Sequence, residues 1–218
     1  MTRLRDPLLL ALTAAAGWTD ALSYAALGHV FTANMTGNLV LLGLALGSIE
    51  GTAVERSATA LAGFAAGALL GALVTRGPLR GPWPPSVTAA LGIEAALLAA
   101  FAAVWLTGAA VDALIALSAL GMGVQSAAVR RLDVPGVATT FVTGTITSLM
   151  AGLAAVQATR GWWRHAAVVV ALVAGATAGA VVWTRWPRAA GAGPALLVGT
   201  VATAAALSAR RVTHPPRR

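Results

Sequence analysis

Cysteine is absent from the chain, and so is lysine. The first absence excludes disulfides, thiolate-held metals and cysteine nucleophiles. The second leaves arginine to carry all the positive charge, 15 residues against 7 acids, for a formal net charge of +8. Charge itself is scarce. Only 10% of the 218 residues are charged, where a soluble domain carries roughly 25%. Histidine is scarce too: His29, His165 and His214 are scattered and form no HExxH or similar metal spacing. The chain has no Gly-rich phosphate loop and no GxSxG elbow. Nothing in it calls for enzyme chemistry, a metal or a cofactor.

What is present is hydrocarbon. Hydrophobic residues make up 58% of the chain, and the mean hydropathy is +0.79. They come in blocks. A block of about 20 apolar residues spans a bilayer as a helix, whereas strands of a membrane barrel would alternate apolar and polar. The predicted fold is all-α, a polytopic transmembrane helical bundle forming a single integral membrane domain over residues 1–218. In a soluble protein a charge of +8 would suggest nucleic acid. Here the arginines sit at block ends, as do Trp83, Trp105, Trp162, Trp163, Trp183 and Trp186. That is the pattern of interfacial anchors, so the expected partners are membrane lipids and not nucleic acid. The N-terminus MTRLRDPLLLALTAAAGW mimics a secretory signal. Its apolar run continues to Leu27, which makes it the first helix of the fold. The tail ARRVTHPPRR is basic and proline-broken, suited to anionic headgroups.

Glycine, proline and charge clusters divide the chain into eight apolar segments. They run from Pro7 to Leu27, Thr36 to Gly47, Ser57 to Val74, Val87 to Leu106, Ala113 to Val129, Thr143 to Val156, Ala166 to Trp183 and Pro194 to Ser208. The second and sixth are short for a bilayer. An internal repeat relates residues 1–109 to 110–218. At a shift of 107, TANMTGN (Thr32 to Asn38) falls on TTFVTGT (Thr139 to Thr145). At a shift of 109, VTRGP (Val74 to Pro78) falls on WTRWP (Trp183 to Pro187). The expected architecture is about eight spans in two parallel four-span repeats. Re-entrant second and sixth segments would make them inverted. With eight crossings and a cytoplasmic N-terminus, nine arginines lie inside and six outside. That count modestly favours both termini in the cytoplasm.

The TANMTGN and TTFVTGT clusters have the character of broken membrane helices. Polar atoms in a bilayer need partners, and matching breaks in two halves point to a transport site. The candidate solute-binding set is Asp20, Asn34, Thr36, Gly37, Asn38, Gln125, Thr140, Thr143, Gly144 and Thr145. The competing reading makes these residues helix caps and interhelical hydrogen bonds. Gln125 and Ser126 take the places of Trp18 and Thr19 in the repeat. Asp20 and Glu94 are intramembrane carboxyls, functional by default. Asp20 either carries a proton or pairs with Arg130 or Arg131, which end the repeat-related helix. Gly63, Gly67 and Gly71 form one smooth helix face, answered by Gly175 and Gly179. Such a face packs on a neighbouring helix or on a second copy in a homo-oligomer.

The stretches GWTDALSYAALGHVFTANMTGNLVLLGLALG and GMGVQSAAVRRLDVPGVATTFVTGT resemble the YoaK family of bacterial multi-pass membrane proteins. The resemblance covers nearly the whole chain, with one departure. Ser126 stands where asparagine is expected after glutamine. The family is a domain of unknown function, so the resemblance implies a multi-pass fold in a bacterial inner membrane and no reaction or substrate. The functional expectation is transport of a small solute, with Asp20 coupling it to protons. The alternative is a non-transporting scaffold or sensor.

Overall fold

The computed structural model describes residues 2–78, 81–108, 110–134, 144–147, 150 and 162–213. The chain forms the all-α polytopic bundle its composition implies. The helices are α1 (Thr2–Ala26), α2 (Met35–Ser48), α3 (Gly51–Thr75), α4 (Pro85–Thr107), α5 (Val111–Arg131), α6 (Trp162–Arg185) and α7 (Ala192–Thr213). A 3-10 turn, Pro187–Ala189, joins α6 to α7. Residues 144–147 are also helical, and no strand occurs among the described residues.

Among the described residues five helices (α3, α4, α5, α6 and the segment Pro187–Ala209) are long and apolar enough to cross a membrane. The 25 residues of α1 match that length, at about 1.5 Å of rise per residue. Trp18, Thr19 and Asp20 make α1 more polar. It runs beside α6 from the Asp6–Arg164 ion pair (2.9 Å) to the hydrogen bond that the Trp18 indole donates to Ala190 O (3.0 Å).

Packing fixes the direction of each helix. Two apolar clusters mark the two ends of the bundle. At one end, Leu22, Leu27 and Val30 after α1 meet Ala60 of α3, Phe101 of α4, Leu114 and Ile115 of α5, and Ala190. At the other end, Leu9 and Leu12 of α1 meet Trp83 and Val87 before and within α4, Val129 of α5 and Val168 of α6. Arg131, closing α5, donates to Thr75 O (3.0 Å) and Gly77 O (2.7 Å) at the end of α3. Hence α1, α4 and α6 run one way, and α3, α5 and α7 run the other.

This leaves α2 no room to cross. The end of α1 and the start of α3 lie together, because the Arg56 side chain covers Gly28 so closely that a Cβ there would meet the guanidinium. Gly28 has φ +91°, a conformation glycine adopts without cost. From there the chain descends to Thr32 and Ala33, turns, and climbs back as α2. Its 14 residues reach about 21 Å, short of the ~30 Å hydrocarbon layer. The second segment is therefore re-entrant, which corrects the eight full crossings in parallel halves. Among the described residues six helices are long enough to cross, five of them apolar enough as well. The matching sixth segment lies mostly outside the described residues, but α5 ends and α6 begins at the same end of the bundle.

The helices pack through glycine. Gly67 of α3 abuts Leu120 O, Gly71 abuts Val124 O, and Gly123 of α5 abuts Phe64 O and Ala68 N. On the other side Gly175 of α6 abuts Ala14 O, Gly179 abuts Trp18 O, and Gly17 of α1 abuts Leu172 O and Ala176 N. A Cβ at Gly67 or Gly175 would stand 2.0 Å from a backbone oxygen. The Gly63, Gly67, Gly71 face is thus occupied by α5 of the same chain and is not left for a second copy.

Candidate functional site

The site grows from the break before α2. Asp20 sits on α1, between one and two turns from its end. Its Oδ1 accepts the backbone N–H groups of Thr32 (2.8 Å) and Ala33 (2.7 Å). A carboxylate taking two amides satisfies donors that a bilayer would otherwise leave orphaned. Asn38, fully buried, pairs with the backbone of Phe31 in both directions. Its Oδ1 accepts the Phe31 N–H (2.9 Å), and its Nδ2 donates to the Phe31 carbonyl. Asn34 is the N-cap of α2 and accepts the Gly37 N–H (3.3 Å). Gly37 is small because the Phe31 ring and the Asn34 amide lie against it. Thr36 is exposed. Thr32 is buried, and its hydroxyl has no partner among the described residues.

A groove of about 400 Å³ opens beside this loop, lined by Asp20, Tyr24, Phe31 and Asn34, with Leu172 and Ala176 of α6 opposite. Tyr24 stacks on Phe31 with ring centroids 5.1 Å apart, and His29 meets Tyr24 edge-on at the same distance. The groove wall is mostly apolar, with Asp20, Asn34 and Tyr24 as its residues bearing polar side-chain groups, which is the usual make-up of a small-molecule site.

The remaining sequence-predicted residues are placed as follows. Gln125 is fully buried; its Nε2 donates to Leu12 O (3.2 Å), and its Oε1 has no partner among the described residues. Glu94 is fully buried on α4 with both carboxyl oxygens likewise unpartnered, its Cγ lying near Gly121. These two lie in the bundle interior and do not line the Asp20 groove. Gly144 is exposed and Thr145 is buried. Thr140 and Thr143 fall outside the described residues. Of the two readings of Asp20, the ion pair with Arg130 or Arg131 is not made. Arg131 instead caps the carbonyls ending α3, Arg130 is exposed, and Asp20 is taken by amides. A pairing inferred from repeat-related helices missed the nearer donors, the N–H groups twelve and thirteen residues along the chain.

Two features of the structure had no sequence reading. Asp6 pairs with Arg164, tying the start of α1 to α6. Trp105 donates to Pro187 O (2.9 Å), seating the turn between α6 and α7. The signal for the first was an acid within an arginine-rich terminus.

The family model described as "protein of unknown function (DUF1275)" matches residues 8–207. The UPF0700 transmembrane protein YoaK of Bacillus subtilis (strain 168) is 43% identical over 148 residues, covering 67% of this chain and 66% of that protein. The match thus spans just under two thirds of the relative's own length. No solved structure matches the chain. The chain is a multi-pass membrane protein and belongs to the DUF1275 family.

Proposed function

We propose that the protein is a bacterial inner-membrane carrier of a small solute, built as two inverted repeats, with the Asp20 groove as a solute site. The observation that carries this reading is the exchange of partners between halves. In the packing of α1 on α6, Ala14, Gly17 and Trp18 meet Leu172, Gly175, Ala176 and Gly179. In the packing of α5 on α3, Leu120, Gly123 and Val124 meet Phe64, Gly67, Ala68 and Gly71 in the same order. Each residue of the first set answers to one of the second. Because α1 and α5 run in opposite directions, the repeat is inverted. It sets Asp20 against Ser126 and Thr19 against Gln125, one residue on from the alignment made by sequence. Inverted repeats with broken helices at a central site are the architecture of many secondary transporters.

Charge supports an orientation. Among the described residues, Arg3, Arg5, Arg76, Arg130, Arg131, Arg164, Arg210 and Arg211 lie towards the end holding both termini, and Arg56, Arg185 and Arg188 towards the other. Eight against three supports cytoplasmic termini more strongly than the count for eight crossings. The scaffold reading has its own support, since Asp20, Asn34 and Asn38 all bond to the re-entrant loop itself. Uptake into vesicles containing the purified chain, across a panel of small solutes, tests the proposal. A solute whose accumulation is lost in Asp20→Asn supports the carrier. No uptake of any solute by correctly folded protein supports the scaffold.

A further inference from the structure

A second cavity lies at the opposite end of α2 from the helix break. It has a volume of about 580 Å³ and sits between the loop after α1, the last turns of α2 and the first turns of α3. We infer that it is a binding site for a phosphate group, held by Arg56 and Ser57 in the first two turns of α3. Arg56 lines the cavity, its side chain lying over Gly28. No described residue forms a hydrogen bond or an ion pair with it. Ser57 is only 1% exposed, lines the same cavity, and its hydroxyl likewise has no partner among the described residues. A hydroxyl without a protein partner beside a cavity is free to donate to whatever occupies it.

The backbone adds donors. Ala53 and Val54 direct their N–H groups to Glu50 O. Gly51 and Thr52, first in the 25-residue helix, also line the cavity, and their N–H groups have no intrahelical acceptor. A guanidinium fork, a hydroxyl and a helix N-terminus form a donor set suited to tetrahedral oxyanions. Glu50 lines the cavity too, but it is exposed and forms no ion pair with Arg56, so the guanidinium charge is left uncompensated. The opposite wall is apolar, from Val30, Leu41, Leu44 and Ala45. A phosphate could arrive free in solution or on a lipid headgroup whose chains run along the apolar flank of α2.

The test is binding to the full chain in detergent. The probes are inorganic phosphate, against matched chloride, and a short-chain phosphatidylethanolamine, against a short-chain diacylglycerol lacking phosphate. The expected result is that at least one phosphate-bearing probe binds above its control. Arg56→Ala and Ser57→Ala should each weaken that binding roughly tenfold or more, as loss of a charge-assisted hydrogen bond does. Binding of the lipid alone identifies a headgroup site, and binding of inorganic phosphate a site for a soluble anion. If Arg56→Ala does not fold, Ser57→Ala decides, since it removes only a hydroxyl. The inference is overturned if neither probe exceeds its control, or if folded Arg56→Ala or Ser57→Ala binds as tightly as the parent.

Discussion

Asp20 is the residue on which the re-entrant loop hangs. Its Oδ1 takes two amides whose owners, Thr32 and Ala33, are buried. Asp20→Ala removes that acceptor and leaves both donors without a partner. Each buried N–H so orphaned costs about 1–3 kcal/mol. Asp20→Asn keeps a carbonyl oxygen in place and loses only the charge assistance. Unfolding in detergent is therefore expected to show a large loss of stability for Asp20→Ala and a loss of less than half that for Asp20→Asn. Equal losses would mean that Asp20 does not act through these amides. Asn38→Ala strips both bonds from the Phe31 backbone, so it is expected to destabilise by about 1–3 kcal/mol in the same assay. Thr36→Ala, on an exposed side chain, is expected to stay within about 0.5 kcal/mol of the parent. The cluster's role was half legible in the sequence. Asn34 reads as a cap from its place before an apolar run. The partner of Asp20 was not legible, because backbone amides leave no mark in a sequence and arginines do.

At the scale of helices, glycine decides which faces meet. The contacts at Gly67 and Gly175 bring backbone against backbone, with 2.0 Å left for a Cβ. Gly67→Ala and Gly175→Ala must push α3 off α5 or α6 off α1, and each is expected to cost about 1–3 kcal/mol from overpacking. Gly43 and Gly47 of α2 have nothing within 4 Å of an added Cβ. Their alanine variants are expected to be neutral or more stable by about 0.5–1 kcal/mol, since glycine is the poorer helix former. Thermal unfolding of the four variants checks this contrast. Similar effects at all four positions would remove the packing account. The glycine spacing of α3 was visible in the sequence, but the partner it packs on was not. A smooth face fits a second copy as well as another helix of the same chain.

For the whole molecule, the apolar blocks were readable because a bilayer imposes length, and seven of the eight segments coincide with helices to within several residues. Direction was not readable. A 14-residue apolar helix is compatible with a short crossing or with a return to the starting side, and only its neighbours separate the two. The shortness of the second and sixth segments was the sequence sign that they need not cross fully. The structure's central claim is that α2 turns back, so that Ile49 lies across the membrane from both the N-terminus and the α3–α4 connection. The absence of cysteine makes this directly measurable. Single cysteines at Leu4, Ile49 and Pro78, all exposed positions, can be labelled with a membrane-impermeant thiol reagent in intact cells and again after permeabilisation. The six-crossing bundle predicts that Leu4→Cys and Pro78→Cys share one side and Ile49→Cys lies on the other, labelled before permeabilisation if the termini are cytoplasmic. Leu4→Cys and Ile49→Cys on one side, with Pro78→Cys opposite, would show that α2 crosses the membrane and would contradict the account.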